Sequence, residues 1–310
     1  MDKKTVLVIG ATGTQGGSVA RALLKQQDKY TVRCLTRSPE SPKAQALANL
    51  GASLIQADLT IPSTLPPVMK GVWGVFAVTD FYDTAIVEDP ASEEEQGRNL
   101  VKSASQAGVQ CFLWSTLPSS GEISGGKFVT RLYEGKHSVD DVVREYGLPG
   151  AFILTGNFYE NMITRKYASY DKEKDVINMV RPVVKIDTDL VSLYVEKDLG
   201  GVCAAIFDLW DTRKEELNGK YYLASGARET PRDMIRVLEK VSGKKVIYGT
   251  KPTCGIKERD IMMDLYNNIG MYPGLPVPTK EVLSLGIKLH TVEDFIRDRL
   301  LPHLGLESVV

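Results

Sequence analysis

The residues of this chain best suited to chemistry stand at its start. Thr5-Val-Leu-Val-Ile-Gly10-Ala-Thr12-Gly13-Thr14-Gln15-Gly16-Gly-Ser18 carries an apolar run straight into glycines placed three residues apart. In a strand–turn–helix of this kind Gly10 supplies a tight turn, Gly13 lets backbone approach a pyrophosphate, and Gly16 lets the helix begin close against the sheet. The N–H groups of the first helical turn have no partner within the helix and face phosphate. The chemistry indicated is dinucleotide binding, with Thr12, Thr14 and Gln15 beside the three glycines in the cofactor-binding set.

The end of the second strand decides which dinucleotide. An acid there takes the ribose 2′-hydroxyl, whereas a guanidinium accommodates a 2′-phosphate. This chain has Leu35-Thr36-Arg37-Ser38, with no carboxylate at the strand end and Lys43 in the following turn. Arg37 is suited to bidentate phosphate pairing, so NADP(H) is the expected cofactor in preference to NAD(H). Asp58, just after the third strand, is placed to meet the adenine edge, and Val78 and Thr79 end the fourth strand beside the cofactor. Those three positions rest on topology, because loops at the carboxyl ends of such strands line the crevice.

The elements that must position these residues repeat one unit. Beyond the first strand, Val6 to Ile9, candidates at 31–36, 53–57, 72–78 and 109–115 alternate with helical stretches around 43–50, 63–70 and 94–107. That alternation predicts a parallel sheet with crossover helices. Gly51, Gly71 and Gly108 each follow one of those helices, where a left-handed cap is wanted. A helix near 133–146 leads through Gly147-Leu-Pro149 into a sixth strand, Ala151 to Leu154. Later strands, Tyr221 to Ala224 and Val246 to Tyr248, mix with helices capped by Thr230-Pro-Arg-Asp233 and Thr291-Val-Glu-Asp294, which predicts a smaller α+β lobe. The expected architecture is α/β: a doubly wound parallel (Rossmann) domain over 1–155 and a mixed substrate or partner lobe over 156–310, interleaved with the first.

Composition narrows the function classes. With 310 residues, 43% of them hydrophobic, the chain has enough apolar material for a sizeable core. Lys and Arg number 38 against 39 Asp and Glu, so no basic footprint argues for direct nucleic-acid binding. Met1-Asp-Lys-Lys enters the first strand without a secretory segment, and no apolar run is long enough to span a bilayer, so cytosol or nucleus is the expected compartment. Cys34, Cys111, Cys203 and Cys254 form no CxxC pair and read as reduced thiols. His137, His290 and His303 do not cluster, and no metal site is expected.

Taken in order, these residues resemble the NmrA-like branch of the atypical short-chain dehydrogenases, a family with NADP(H)-sensing members and fungal biosynthetic members. The resemblance spans most of the chain and rests on the glycine run, Thr36-Arg37, Glu134-Gly135-Lys136, and Gly147-Leu-Pro149 followed by Asn157-Phe-Tyr-Glu-Asn161. It implies a Rossmann domain with a small C-terminal substrate lobe, and Lys136 near the nicotinamide ribose. It also implies that Thr155, Asn157, Phe158 and Tyr159 border the nicotinamide and substrate pocket.

The resemblance breaks where a carbonyl reductase of this kind keeps its proton donor. Such enzymes place Tyr four residues before the Lys, and here position 132 is Leu. Tyr133 lies three residues before Lys136 on a shared helix face, so it is either the general acid, tuned by the Lys136 charge, or an aromatic packing group. Ser115, ending the fifth strand, is either a substrate-polarising hydroxyl or an ordinary strand-end Ser. The stretch Ser115 to Gly126 is either a lid or a passive loop, and Glu93-Glu-Glu95 reads as an acidic first helical turn favourable to the dipole. Three functions are consistent with these residues. One is an NADPH-dependent reductase, or a rearrangement catalyst holding NADP, acting on a small apolar metabolite. The second is a non-catalytic NADP(H) sensor that regulates a protein partner, and the third is a scaffold.

Overall fold

The computed structural model describes residues 2–89 and 91–309; Met1, Pro90 and Val310 lie outside the described residues. The first strand, β1 (Lys4–Val8), shows how the sheet is built. Val6 and Val8 pack into one hydrophobic cluster while Leu7 and Ile9 pack into another, on the opposite face. A strand buried on both faces has to be apolar at consecutive positions, and this one is. The same division recurs in β5 (Cys111–Thr116), where Leu113 faces one cluster and Phe112 and Trp114 the other.

With β2 (Tyr30–Thr36), β3 (Ser53–Gln56), β4 (Gly74–Ala77), β6 (Gly150–Leu154) and β11 (Tyr221–Leu223), these strands form one seven-stranded sheet. Its order is β11-β6-β5-β4-β1-β2-β3, and every pairing in it is parallel. The topological switch point lies between β1 and β4, where crossovers diverge and a ligand crevice opens at the carboxyl ends. Helices α1 (Thr14–Leu24) and α9 (Val195–Leu217) cover one face; α3 (Leu65–Met69), α5 (Ala91–Gln106) and α7 (Arg131–Glu145) cover the other. Ser18 fixes the α1–α9 crossing, since its hydroxyl donates to the Val195 carbonyl at 2.6 Å and accepts from the Gly200 N–H at 3.0 Å. The shorter α2 (Pro42–Asn49) packs beside β2 and β3. Gly51, Gly71 and Gly108 take φ of +102°, +71° and +70°, as left-handed caps do.

Two three-stranded sheets complete the chain. One holds β7 (Asn157–Phe158), β10 (Leu190–Leu193) and β12 (Ala227–Glu229); the other holds β8 (Ala168–Asp171), β9 (Val176–Val180) and β13 (Lys245–Gly249). They share a core with α8 (Asn161–Thr164), α10 (Pro231–Ser242), α11 (Lys257–Asn268) and the helical turns from 292 to 304. Thr230 with Asp233 and Thr291 with Asp294 both close reciprocal capping boxes. One expectation is corrected: the strand at Tyr221 pairs with β6 in the large sheet and is not part of the smaller lobe. Tyr222 and Leu223 are buried in this edge strand beside β6. The remaining helices are α4 (Thr84–Glu88) and α6 (Ser120–Ser124).

Gly16 is the tightest point of the phosphate loop, since a Cβ there would lie 2.4 Å from the Gly10 carbonyl oxygen. Gly16→Ala is expected to cost about 1–3 kcal/mol of stability through that clash. Urea unfolding checks it, and an unchanged midpoint would show that the loop relaxes freely.

Candidate functional site

At the end of β1 the chain turns through Gly10 at φ +66°, with Val78 packed against it so closely that a Cβ would meet the valine at 2.9 Å. The Gly13 N–H donates back to the Gly10 carbonyl at 2.9 Å, and α1 begins. Gly13 is the N-cap in extended conformation, and no side chain caps the helix. The N–H groups of Thr14, Gln15 and Gly16 therefore remain available at the positive end of the dipole, on an exposed turn. Thr12, in the turn itself, is half-buried. Gln15 is held from the side: its amide oxygen accepts from the Ser115 hydroxyl at 2.7 Å. Ser115 is thus spent on the phosphate loop, and the structure gives it a positioning contact in place of an open hydroxyl.

Arg37 stands just past β2 with its side chain 60% exposed, donating to the Asp83 carboxylate at 2.5 Å. These two residues, with Asp58, Asp80 and Tyr82, line a cavity of about 460 Å³. Asp58 folds its carboxylate onto the Thr60 N–H and hydroxyl at 2.9 and 2.8 Å. Lys43 sits on the exposed first turn of α2 and is not part of the cavity wall. Sequence reasoning missed Asp83, which lies 46 positions from Arg37 with no local signal to link the two.

The centre of the site is a buried ion pair. The Lys136 ammonium donates to Glu93 Oε1, to the Thr79 carbonyl at 3.0 Å and to the Thr79 hydroxyl at 3.0 Å. Thr79 in turn donates to Glu93 Oε1 at 2.7 Å. The two charged side chains are 9% and 1% exposed. An ammonium has three N–H donors, and all three have these partners. Glu93 stands in the first turn of α5, as the sequence suggested, and is in addition the buried counter-ion of Lys136. Gly135 makes room for it, since a Cβ there would lie 2.7 Å from Glu93 Oε2. Trp114 Nε1 donates to the Lys136 carbonyl at 3.1 Å and fixes the helix turn that presents the lysine.

Tyr133 faces elsewhere. Its hydroxyl shares a 2.8 Å hydrogen bond with the Tyr266 hydroxyl, and the ring is buried. Burial raises its pKa well above the ordinary phenol value, and Tyr272 adds to the rise. The lysine donors end on Thr79 and Glu93 and the phenol on Tyr266, so of the two readings of Tyr133 this geometry fits the aromatic packing group. The segment after Ser115 is likewise fixed. Ser119, Ser120 and the Gly121 N–H all donate to Glu134. Burial works against that carboxylate, yet these hydrogen bonds outweigh it and hold its pKa below the usual range. Residues 120–124 form a helical turn on this anchor, which argues for a fixed wall over a lid.

The residues expected after β6 divide. Thr155 is buried, and its carbonyl accepts from the Tyr272 hydroxyl at 2.5 Å. Asn157 donates to Ser192 at 3.2 Å and accepts from Arg181 at 2.8 Å. Phe158 is half-buried against the cluster beneath α1. Tyr159 has its hydroxyl on Glu229 and its ring stacked 5.7 Å from Phe295, so it builds core and borders no open space. Among the described residues, no group of His, Cys, Asp and Glu is arranged to hold a metal ion, and no helix is long and apolar enough to cross a membrane.

The NmrA-like family model matches residues 2–279. The NmrA-like family domain-containing oxidoreductase hkm9 of Aspergillus hancockii is 37% identical over 167 residues, 53% of this chain and 50% of that protein. The chain thus spans about half the length of that curated relative. Among solved structures, the negative transcriptional regulator NmrA aligns over 96% of both chains, with a TM-score of 0.80 for its NAD complex at 20% identity and 0.79 for its NADP complex at 21%. Triphenylmethane reductase of Citrobacter sp., complexed with NADP(H), aligns with a TM-score of 0.71 at 18% identity, over 94% of this chain and 98% of that one. These structural likenesses are likenesses of fold.

The buried pair sets a stability expectation. Lys136→Met leaves the Glu93 carboxylate buried without its counter-ion and is expected to cost about 3–5 kcal/mol in urea unfolding. Adding Glu93→Gln removes the stranded charge and should recover part of that loss. Tyr133→Phe orphans only the Tyr266 hydroxyl and should cost about 1–3 kcal/mol. A Lys136→Met protein as stable as the parent would show that the pair does not hold the site.

Proposed function

The chain belongs to the NmrA-like family, and on that premise we propose that it binds NADP(H) and reduces a small metabolite with an apolar body. The observation that carries this reading is the phosphate loop: Gly10, Gly13 and an uncapped α1 beside Arg37, all at the carboxyl edge of the sheet. The fit to a dinucleotide is physical. The space beside Gly13 is open apart from the Gly10 oxygen at 3.2 Å, so backbone can meet pyrophosphate, and the Arg37 guanidinium is exposed where a 2′-phosphate would lie. The bound nucleotide supplies the hydride. The chain's own part is to hold and orient: α1 and Arg37 grip the phosphates, and the Lys136–Glu93–Thr79 cluster fixes the floor of the crevice beside β4. With Tyr133 buried on Tyr266 and Lys136 saturated, reduction here does not run through a tyrosine–lysine proton relay. Four free thiols, three of them buried, support a reducing compartment such as cytosol or nucleus.

A second reading draws on the Arg37–Asp83 pair. Asp83 immediately precedes α4, so a 2′-phosphate on Arg37 competes with the residue that leads this helix. A cofactor that favours one arrangement of α4 shifts the population toward it, which is how a non-catalytic NADP(H) sensor would signal to a protein partner.

Calorimetric titration tests the binding. Arg37→Ala is expected to weaken NADPH by about 10- to 100-fold with little change for NADH. Asp83→Asn should tighten NADPH, because it removes the competing carboxylate. Gly13→Val, extended at φ −89°, should stay folded by circular dichroism and lose binding. Equal affinity for both cofactors, unmoved by Arg37→Ala, would sink the NADP(H) assignment. Turnover of a metabolite without NADPH consumption would favour a rearrangement, and no turnover with cofactor-dependent partner binding would favour the sensor.

A further inference from the structure

Two buried guanidinium groups form no salt bridge among the described residues. Arg181, directly after β9, is 4% exposed, and Arg259, on α11, is 7% exposed. Each makes one side-chain hydrogen bond, Arg181 to Asn157 at 2.8 Å and Arg259 to the Tyr167 hydroxyl at 2.5 Å. The Nε of each has no partner, and among the described residues neither joins an ion pair. They are close neighbours: Arg181 lies 5.6 Å from the centre of the Tyr167 ring whose hydroxyl Arg259 holds. Arg259 and Arg165 sit 5.8 and 4.5 Å from the Tyr82 ring. Tyr82 is 38% exposed and also lines the Arg37 cavity, so one ring touches both the arginine cluster and that cavity.

A guanidinium carries five donors, and burying one without an anion is costly. Burying two against one tyrosine adds their repulsion. Glu229 is the carboxylate that Arg181 feels, but it is committed to Tyr159 and its pKa is pushed up to about 7 by burial, so it neutralises the pair only in part. As packing posts for tyrosines, methionines would serve without leaving donors unmet. The unmet donors fit an oxyanion, and the exposed ring surface of Tyr82 beside them fits a flat body.

We propose that Arg181 and Arg259 bind the carboxylate of a flat, unsaturated organic acid whose body lies against the Tyr82 ring that also lines the Arg37 cavity. As the identity of the substrate this rests on the NADP(H) reading above; as an anion site it stands alone.

The test titrates the full chain, with and without saturating NADP, against benzoate, its uncharged isostere benzamide, and inorganic phosphate. Benzoate is expected to bind at least about tenfold tighter than benzamide, and tighter than phosphate. Arg181→Met and Arg259→Met should each lose benzoate by about tenfold or more, with no fall in thermal midpoint, because an apolar isostere relieves an unpaired buried charge. Equal benzoate and benzamide affinity in the parent protein overturns the proposal without need of any variant. Phosphate matching benzoate overturns the flat body, and a sharp fall in thermal midpoint in both variants overturns the receptor in favour of a structural role. NADP titration of the same samples separates the two readings: benzoate binding without NADP binding removes the cofactor reading alone, and the converse removes the anion site alone.

Discussion

The buried contact between Lys136 and Glu93 is the constraint on which the site is arranged. It joins α7 to α5 and, through Thr79, both helices to the carboxyl end of β4 at the switch point. Two opposite charges out of water hold only with close geometry and hydrogen-bond support; Thr79 meets the ammonium and Glu93 Oε1, while Glu93 Oε2 is buried without a partner. The contact also explains the triplet Glu134-Gly135-Lys136 residue by residue. Glu134 anchors the turn at 119–121, Gly135 leaves space for the Glu93 carboxylate, and Lys136 pairs with it. In this structure the motif forms a joint between two helices and a strand end.

That joint divides the crevice into halves of different character. On the cofactor side the groups are exposed and already engaged with one another, as Arg37 is with Asp83, so a ligand exchanges one contact for another at modest cost. On the other side the groups are buried and underused. Arg181 and Arg259 are enclosed by tyrosines, and the nearby phenols of Tyr133 and Tyr266 are bound to each other. Burial raises both phenols, which keeps them neutral across the physiological range and makes the arginines the dominant charges there.

How far the sequence could be read follows from the range of each interaction. Strands buried on both faces must be apolar at successive positions, and so β1, β4, β5 and β6 are visible in the chain, while β2 shows by alternation, with Thr31 exposed and Arg33 half-buried; the glycine turn and the Thr230 and Thr291 caps are visible too. Tyr221 to Leu223 is visible as a strand but not as a neighbour of β6, because the pairing crosses about seventy positions. Glu93 looks like any acid in a first helical turn, and only its partner 43 positions later makes it otherwise. Tyr133 shares a helix face with Lys136, yet a single step of register is roughly 100° of rotation, enough to send the phenol into the core while the lysine meets Glu93. Arg181 gave no warning, since a cation after the apolar Val176–Val180 strand is the ordinary mark of a strand reaching solvent.

The two halves of the site therefore depart from the family pattern to different degrees. The phosphate loop needs backbone geometry, which glycine alone supplies, and it stands here as the resemblance implies. The proton-donating half needs one phenol at one register, and Leu132 has taken that position, with Tyr133 rotated onto Tyr266. A hydride acceptor whose carbanion is already stabilised, by conjugation or by charge, requires no acid within reach of the bond being reduced. A buried guanidinium acts in the same sense on any negative charge near it, since a fixed positive charge in a low-dielectric interior is weakly screened. A Tyr133 hydroxyl bound to Tyr266 and arginines without salt bridges are thus compatible features of one fold.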